Sequence, residues 1–212
     1  MNLPTKITTA RIILVLALLA FWLTIDVLSE TQGYVPLAYG PSGSINLVYL
    51  ISCVVFIVAS ATDALDGYLA RSRNEVTDLG KFLDPVADKL LVDSALIYLS
   101  LPRWGNFAIP LYCTIPMIAR DLVVDALRFI AAGKGKVLAA NVFGKLKTIF
   151  QMIALPVVFL NGWPFSYFDL GWNTNGRIAM ILCDLALFFS LLSGVIYLVR
   201  NRFVFQEEEK HD

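Results

Sequence analysis

Residues 63–88, DALDGYLARSRNEVTDLGKFLDPVAD, decide how the chain is read. Asp63, Asp66, Gly67 and Ala70 stand at i, i+3, i+4 and i+7, so one face of a helix carries two carboxylates and two very small side chains. Asp84 and Asp88, four apart, share a face of a following helix, and a turn around Asn74–Gly80 would fold the two pairs together. Any one of these aspartates could cap a helix or pair with Arg71, Arg73, Lys81 or Lys89; that account is weak when it has to explain all four at once.

Outward from this stretch the chain is apolar. Of its 212 residues 58% are hydrophobic, mean hydropathy is +0.69, and soluble domains hold roughly 45–50% apolar residues. Six stretches, 11–28, 45–62, 86–101, 107–124, 149–162 and 178–199, approach the about 20 residues a spanning helix needs. The expected fold is an all-α integral membrane protein with six transmembrane helices. Residues 1–10, with Pro4 near a helix start and Thr8 close to Arg11, suit a short amphipathic helix on the membrane surface. No linker, repeat or low-complexity block divides residues 1–212, so a single domain is expected.

Basic residues set the orientation. The segments 29–44, 102–106 and 163–177 hold only Arg103 and Arg177 of the 17 lysines and arginines, so both termini and the aspartates are expected on the cytoplasmic side of the cell membrane. Met1–Thr9 carries Pro4 and one lysine and is followed by no small-residue cleavage site, so it is expected to be retained. Trp163, Tyr167 and Trp172 suit an interfacial aromatic belt, and Glu207–Asp212 a solvated tail. Asp184, inside the last apolar stretch, could pair with a neighbouring helix or line a cavity.

Composition also excludes chemistries. Net charge is zero, which gives no electrostatic case for nucleic acid. Cys53, Cys113 and Cys183 are far apart within apolar runs and read as packing residues. His211 is the only histidine and lies in the tail, so histidine acid–base chemistry and His-ligated zinc lack their residues. Four carboxylates ending apolar helices are costly to keep ionised without a cation. Oxygen-only ligands favour Mg²⁺ or Mn²⁺, and two divalent ions would balance four carboxylates. A two-metal site suits phosphoryl transfer from a diphosphate.

The run Asp63-x2-Asp66-Gly67-x2-Ala70-Arg71-x8-Gly80-x3-Asp84-x3-Asp88 resembles the signature of the CDP-alcohol phosphotransferase family at all eight fixed positions. The resemblance implies that Asp63, Asp66 and Asp84 bind one metal ion and Asp63, Asp84 and Asp88 a second. It also implies that Asp88 is the base for the acceptor hydroxyl, that Gly67, Arg71 and Thr77 contact the CDP moiety, and that Ala70 leaves room beside it. A homodimer is implied as well.

A second polar cluster follows: Arg120, Asp121, Asp125, Arg128, Lys145 and Lys147. Arginine grips phosphate bidentately and lysine adds a point charge, so Arg120, Arg128 and Lys145 are candidates to hold an anionic acceptor; the plainer reading makes them positive-inside anchors. Asn2-Leu-Pro4-x3-Thr8-x2-Arg11, FLDPVADKLLV, Ala119–Arg128 and Gly144-Lys145-x-Lys147-Thr148 resemble the phosphatidylglycerophosphate synthases within that family, which more often carry glutamate at the position of Asp121 and a small hydroxyl residue at that of Asp125. The resemblance implies transfer of a phosphatidyl group from CDP-diacylglycerol to sn-glycerol 3-phosphate, with release of CMP and with membrane lipids around the site. Inositol phosphate, serine or phosphatidylglycerol as acceptor, or an ion or metabolite transporter, are the alternatives.

Overall fold

From Thr5 to Gln32 no glycine or proline interrupts the chain, and the computed structural model has a single 30-residue helix, α1, over Leu3–Gln32. Residues 3–39, 45–73, 78–135, 138, 141–168 and 178–202 are described, with side chains except at 3–5, 39, 64–73, 78–82 and 166–167. The separate surface helix expected over residues 1–10 is therefore corrected: residues 3–10 are the opening turns of α1. Pro4 falls in the first turn, where its missing N–H would have had no partner. Thr8 and Arg11, each 2% exposed, are packed inward and not laid on a surface. Gly33, at a φ of 65° that side chains with a Cβ rarely adopt, ends the helix, and its N–H donates to Ser29 O at 3.1 Å.

A two-residue antiparallel ladder follows, β1 (Ala38–Tyr39) with β2 (Ile45–Asn46), pairing Ala38 with Asn46 and Tyr39 with Ile45. Among the described residues five further α-helices follow, α2 (Leu47–Arg73), α3 (Asp78–Leu99), α4 (Leu111–Gly133), α5 (Val142–Phe159) and α6 (Ile178–Arg200), with a 3-10 turn over Phe165–Phe168. Asparagine starts two of them. Asn46 Oδ1 accepts the Val48 N–H at 2.8 Å and Asn141 Oδ1 accepts the Phe143 N–H at 3.1 Å, each satisfying a donor that the first turn leaves open.

Each of the six expected apolar stretches falls on one of the six helices. By length and composition α1 from Lys6, α5 and α6 can each cross a membrane, and the first part of α2, Leu47–Asp63, is a shorter apolar helix. Large apolar side chains remain exposed along these helices, among them Ile13, Leu16, Leu23 and Val27 of α1 and Phe188, Leu191, Val195 and Val199 of α6. Such continuous apolar exposure suits contact with lipid.

The helices pack as two compact units. The first contains residues 1–108 and 155–164, the second 109–154 and 165–212. In the first, α1 packs along α2 and α3 around an aromatic core: Trp22 stacks on Tyr98 with ring centroids 4.2 Å apart, and Tyr49, Phe56 and Phe159 close around them. The Trp22 indole N–H donates to Ser52 Oγ at 2.7 Å, which satisfies the one polar atom this ring carries inward. At the end of this unit Arg103 pairs with Asp26 of α1 and lies 5.5 Å from the Tyr98 ring centroid; burial draws its guanidinium below the ordinary arginine value.

In the second unit α4 packs against α6. Asp184 finds its partners on the neighbouring helix: Tyr112 Oη donates to its Oδ1 at 3.3 Å and Cys113 Sγ at 3.5 Å. All three cysteines are buried and free, as packing residues should be. Trp163 is 40% exposed, whereas the Tyr167 side chain, Trp172 and the Glu207–Asp212 tail lie outside what is described.

Candidate active site

Asp63 and Asp66 lie in α2, Asp84 and Asp88 in α3. The two helices bring Asp63 and Asp84 to a single cation. The Arg11 guanidinium, on α1, pairs through Nη1 with Asp63 Oδ1, and its Nη2 lies 3.8 Å from Asp84 Oδ1. Thr8 Oγ1, one turn earlier on α1, donates to the same Asp84 oxygen at 2.8 Å. The Arg11 side chain is 1% exposed while those of Asp63 and Asp84 are 44% and 46% exposed, so the cation is buried behind carboxylates that open outward.

Other members of the signature are placed with less detail. Asp88 is exposed, one turn beyond Asp84 on α3, with Pro85 between them removing one helical N–H donor. Asp66, Gly67, Ala70 and Arg71 are in α2, their side chains outside those described; Thr77 lies outside the described residues altogether. Among the described residues no three acidic, histidine or cysteine side chains converge. Of the three expected carboxylates whose side chains are described, Asp63 and Asp84 meet at the Arg11 guanidinium.

The second unit holds a separate polar cluster. Asp121 is 8% exposed and receives Arg120 Nη1 at 2.9 Å on one oxygen and Lys147 Nζ at 2.5 Å on the other. The Arg120 guanidinium also donates to Ser193 of α6. Among the described residues two cations here meet one carboxylate, an arrangement open to an anion. Arg128 reaches Tyr197 instead, its Nε donating to Oη at 3.2 Å and its guanidinium 5.6 Å from the ring centroid, and lies 3.9 Å from Asp125. Lys145 is exposed in the first turn of α5. Lys147, two residues on and so on the opposite side of α5, is the lysine that meets Asp121 beside Arg120.

Sequence reading gave Thr8, Arg11 and Ser193 no role in the site. Thr8 and Arg11 stood within the expected surface helix and a resembling phrase, and a pair spanning 52 positions leaves no local pattern. Ser193 precedes Gly194, and that small pair in an apolar helix was the available signal: a Cβ at Gly194 would come 2.8 Å from Arg120 Cγ.

The sequence pattern that defines the CDP-alcohol phosphatidyltransferase family matches residues 1–196, which takes in both units. Three proteins named CDP-diacylglycerol–glycerol-3-phosphate 3-phosphatidyltransferase are similar to this chain. That of Bacillus subtilis (strain 168) is 39% identical over 201 residues, covering 94% of this chain and 95% of the relative. That of Mycoplasma genitalium is 36% identical over 158 residues, covering 73% of this chain and 65% of the relative. That of Salmonella choleraesuis is 36% identical over 159 residues, 73% and 74% of the two chains.

Proposed function

This chain belongs to the CDP-alcohol phosphatidyltransferase family, and from that premise we propose how its residues carry the reaction. The enzyme transfers the phosphatidyl group of CDP-diacylglycerol to sn-glycerol 3-phosphate, giving phosphatidylglycerophosphate and CMP. The observation that supports the site is the meeting of Asp63 and Asp84, from two helices, at one buried guanidinium.

Two half-exposed carboxylates already facing a cation are a donor set made only of oxygen, which fits Mg²⁺ or Mn²⁺ with part of its water retained. Asp63, Asp66 and Asp84 would hold one ion and Asp63, Asp84 and Asp88 the second. When bound, such ions would balance the charge of the diphosphate and keep the attacking and leaving oxygens in line. Asp88 takes the proton from the 1-hydroxyl of glycerol 3-phosphate as that oxygen bonds to the β-phosphorus and the bond to CMP breaks. No protein nucleophile is needed. Gly67, Arg71 and Thr77 contact the CDP moiety, and Ala70 leaves space for it. Arg120, Arg128 and Lys145 supply positive charge for the acceptor phosphate, and the meeting of Arg120 and Lys147 at the one carboxylate of Asp121 supports that role for Arg120.

The six helices span the membrane with both termini and the site on the cytoplasmic side, as the placement of lysine and arginine supports. Lipid tails then enter from the bilayer and water-soluble substrates from the cytosol, and the working assembly is a homodimer. The test is direct. Purified protein given CDP-diacylglycerol, glycerol 3-phosphate and Mg²⁺ or Mn²⁺ should release CMP and form phosphatidylglycerophosphate, and chelation should stop both. Another lipid product, or release that survives chelation, would refute the reading.

A further inference from the structure

Arg11 lies outside the eight-position signature, yet it is the side chain through which the described part of the site is joined. It is among the largest fully buried side chains of the chain. Its guanidinium hydrogen-bonds Asp63 of α2 and stands at ion-pair distance, 3.8 Å, from Asp84 of α3, while Thr8 hydrogen-bonds Asp84 from the same helix as Arg11. A guanidinium is a planar fork with donors at fixed separation, whereas a lysine ammonium is a point charge on a flexible stem. Burying either costs solvation, so a buried arginine persists where its carboxylate partners are fixed in turn. The three helices therefore hold one another through this group.

We propose that Arg11 is a positioning residue of the metal site, fixing the separation of Asp63 and Asp84 and holding down their affinity for divalent ions. This rests on the reading of Asp63 and Asp84 as metal ligands. Both effects follow from one geometry. A resident positive charge and a divalent ion draw on the same oxygens and repel each other at short range, so removing the arginine strengthens the field an ion meets. The same removal frees Asp63 to rotate and leaves Asp84 to Thr8, and an ion held in several arrangements would present its diphosphate poorly to the attacking hydroxyl. Affinity and turnover are thus expected to move in opposite directions, which a purely structural role would not produce.

The experiment measures Mn²⁺ binding to the full chain in lipid nanodiscs, by electron paramagnetic resonance without substrate, alongside the kcat for CMP release. Arg11→Ala should tighten Mn²⁺ binding by about 10-fold and lower kcat by about 100-fold. Arg11→Lys, which keeps the charge and loses the fork, should bind Mn²⁺ like the wild type and recover only part of the turnover. Thr8→Val removes one hold on Asp84 without changing charge, and should lower kcat at unchanged Mn²⁺ affinity. Weaker or unchanged Mn²⁺ binding in Arg11→Ala would overturn the inference, as would full wild-type kcat in Arg11→Lys, a result that stands even if the alanine variant does not fold. Asp84→Asn separates the two levels. Mn²⁺ binding lost there but unaltered in Arg11→Ala sinks the inference alone; binding untouched by Asp84→Asn sinks the metal reading and the inference with it.

Discussion

In the proposed site a carboxylate would serve as ligand and, at Asp88, also as base. Bound to a cation it is a weak base, but the same cation acidifies a hydroxyl beside it, so a modest base suffices. Asp88→Asn keeps the shape and much of the coordinating ability and loses the proton acceptor. Transfer should fall by about 100- to 10,000-fold while binding of CDP-diacylglycerol is largely kept, measured by CMP release and by direct lipid-nucleotide binding; retained turnover would remove Asp88 as base. The convergence of Asp63 with Asp84 was legible from spacing, because i, i+3 and i, i+4 positions share a helix face and two such faces joined by a short turn can meet. Arg11 was not legible. At the start of an apolar run an arginine looks like an interfacial anchor, and only tertiary packing reveals that it turns inward to partners far along the chain.

Helices were easier to find in the sequence than their ends. Every apolar stretch became a helix, but α5 begins at Val142, seven residues before the apolar run, and α3 begins at Asp78, because helical hydrogen bonding continues through charged turns that hydropathy does not count. Conversely, Pro110 delays α4 to Leu111. The surface helix was misjudged for a related reason: Thr8 and Arg11 face protein while Lys6 stays exposed, so the polarity of these turns does not mark a separate helix laid on an interface. Contacts between helices set finer limits. Gly194 lets α6 approach the stem of Arg120, and a methyl group there would sit 2.8 Å from Arg120 Cγ, an atom near the backbone that cannot swing away. Gly194→Ala should displace Arg120 from Ser193 and cost about 1–3 kcal/mol, read as a lowered thermal midpoint with a raised KM for glycerol 3-phosphate. A variant with both values unchanged would show that α4 and α6 tolerate the methyl group.

At the scale of the molecule, an eight-position signature in 26 residues led to the family because residue type and spacing are fixed together over two helices and the turn that joins them. The acceptor was harder to read, since phosphate-binding cations and membrane anchors are the same residue types, and the relatives decide it. One mechanical property remains. At about 1.5 Å per residue, α1 is an unbroken rod of about 45 Å, of which the apolar stretch 11–28 makes up about 27 Å, close to the about 30 Å thickness of hydrocarbon in a membrane. A rigid rod matched to its layer tilts as that layer is made thinner or thicker. With Thr8 and Arg11 at one end of it, a change of tilt becomes a displacement at Asp63 and Asp84. Turnover in vesicles of graded acyl length should therefore pass through a maximum, and paired glycines placed midway along α1 should flatten it, making the surrounding lipid a tuning element of an enzyme that manufactures lipid.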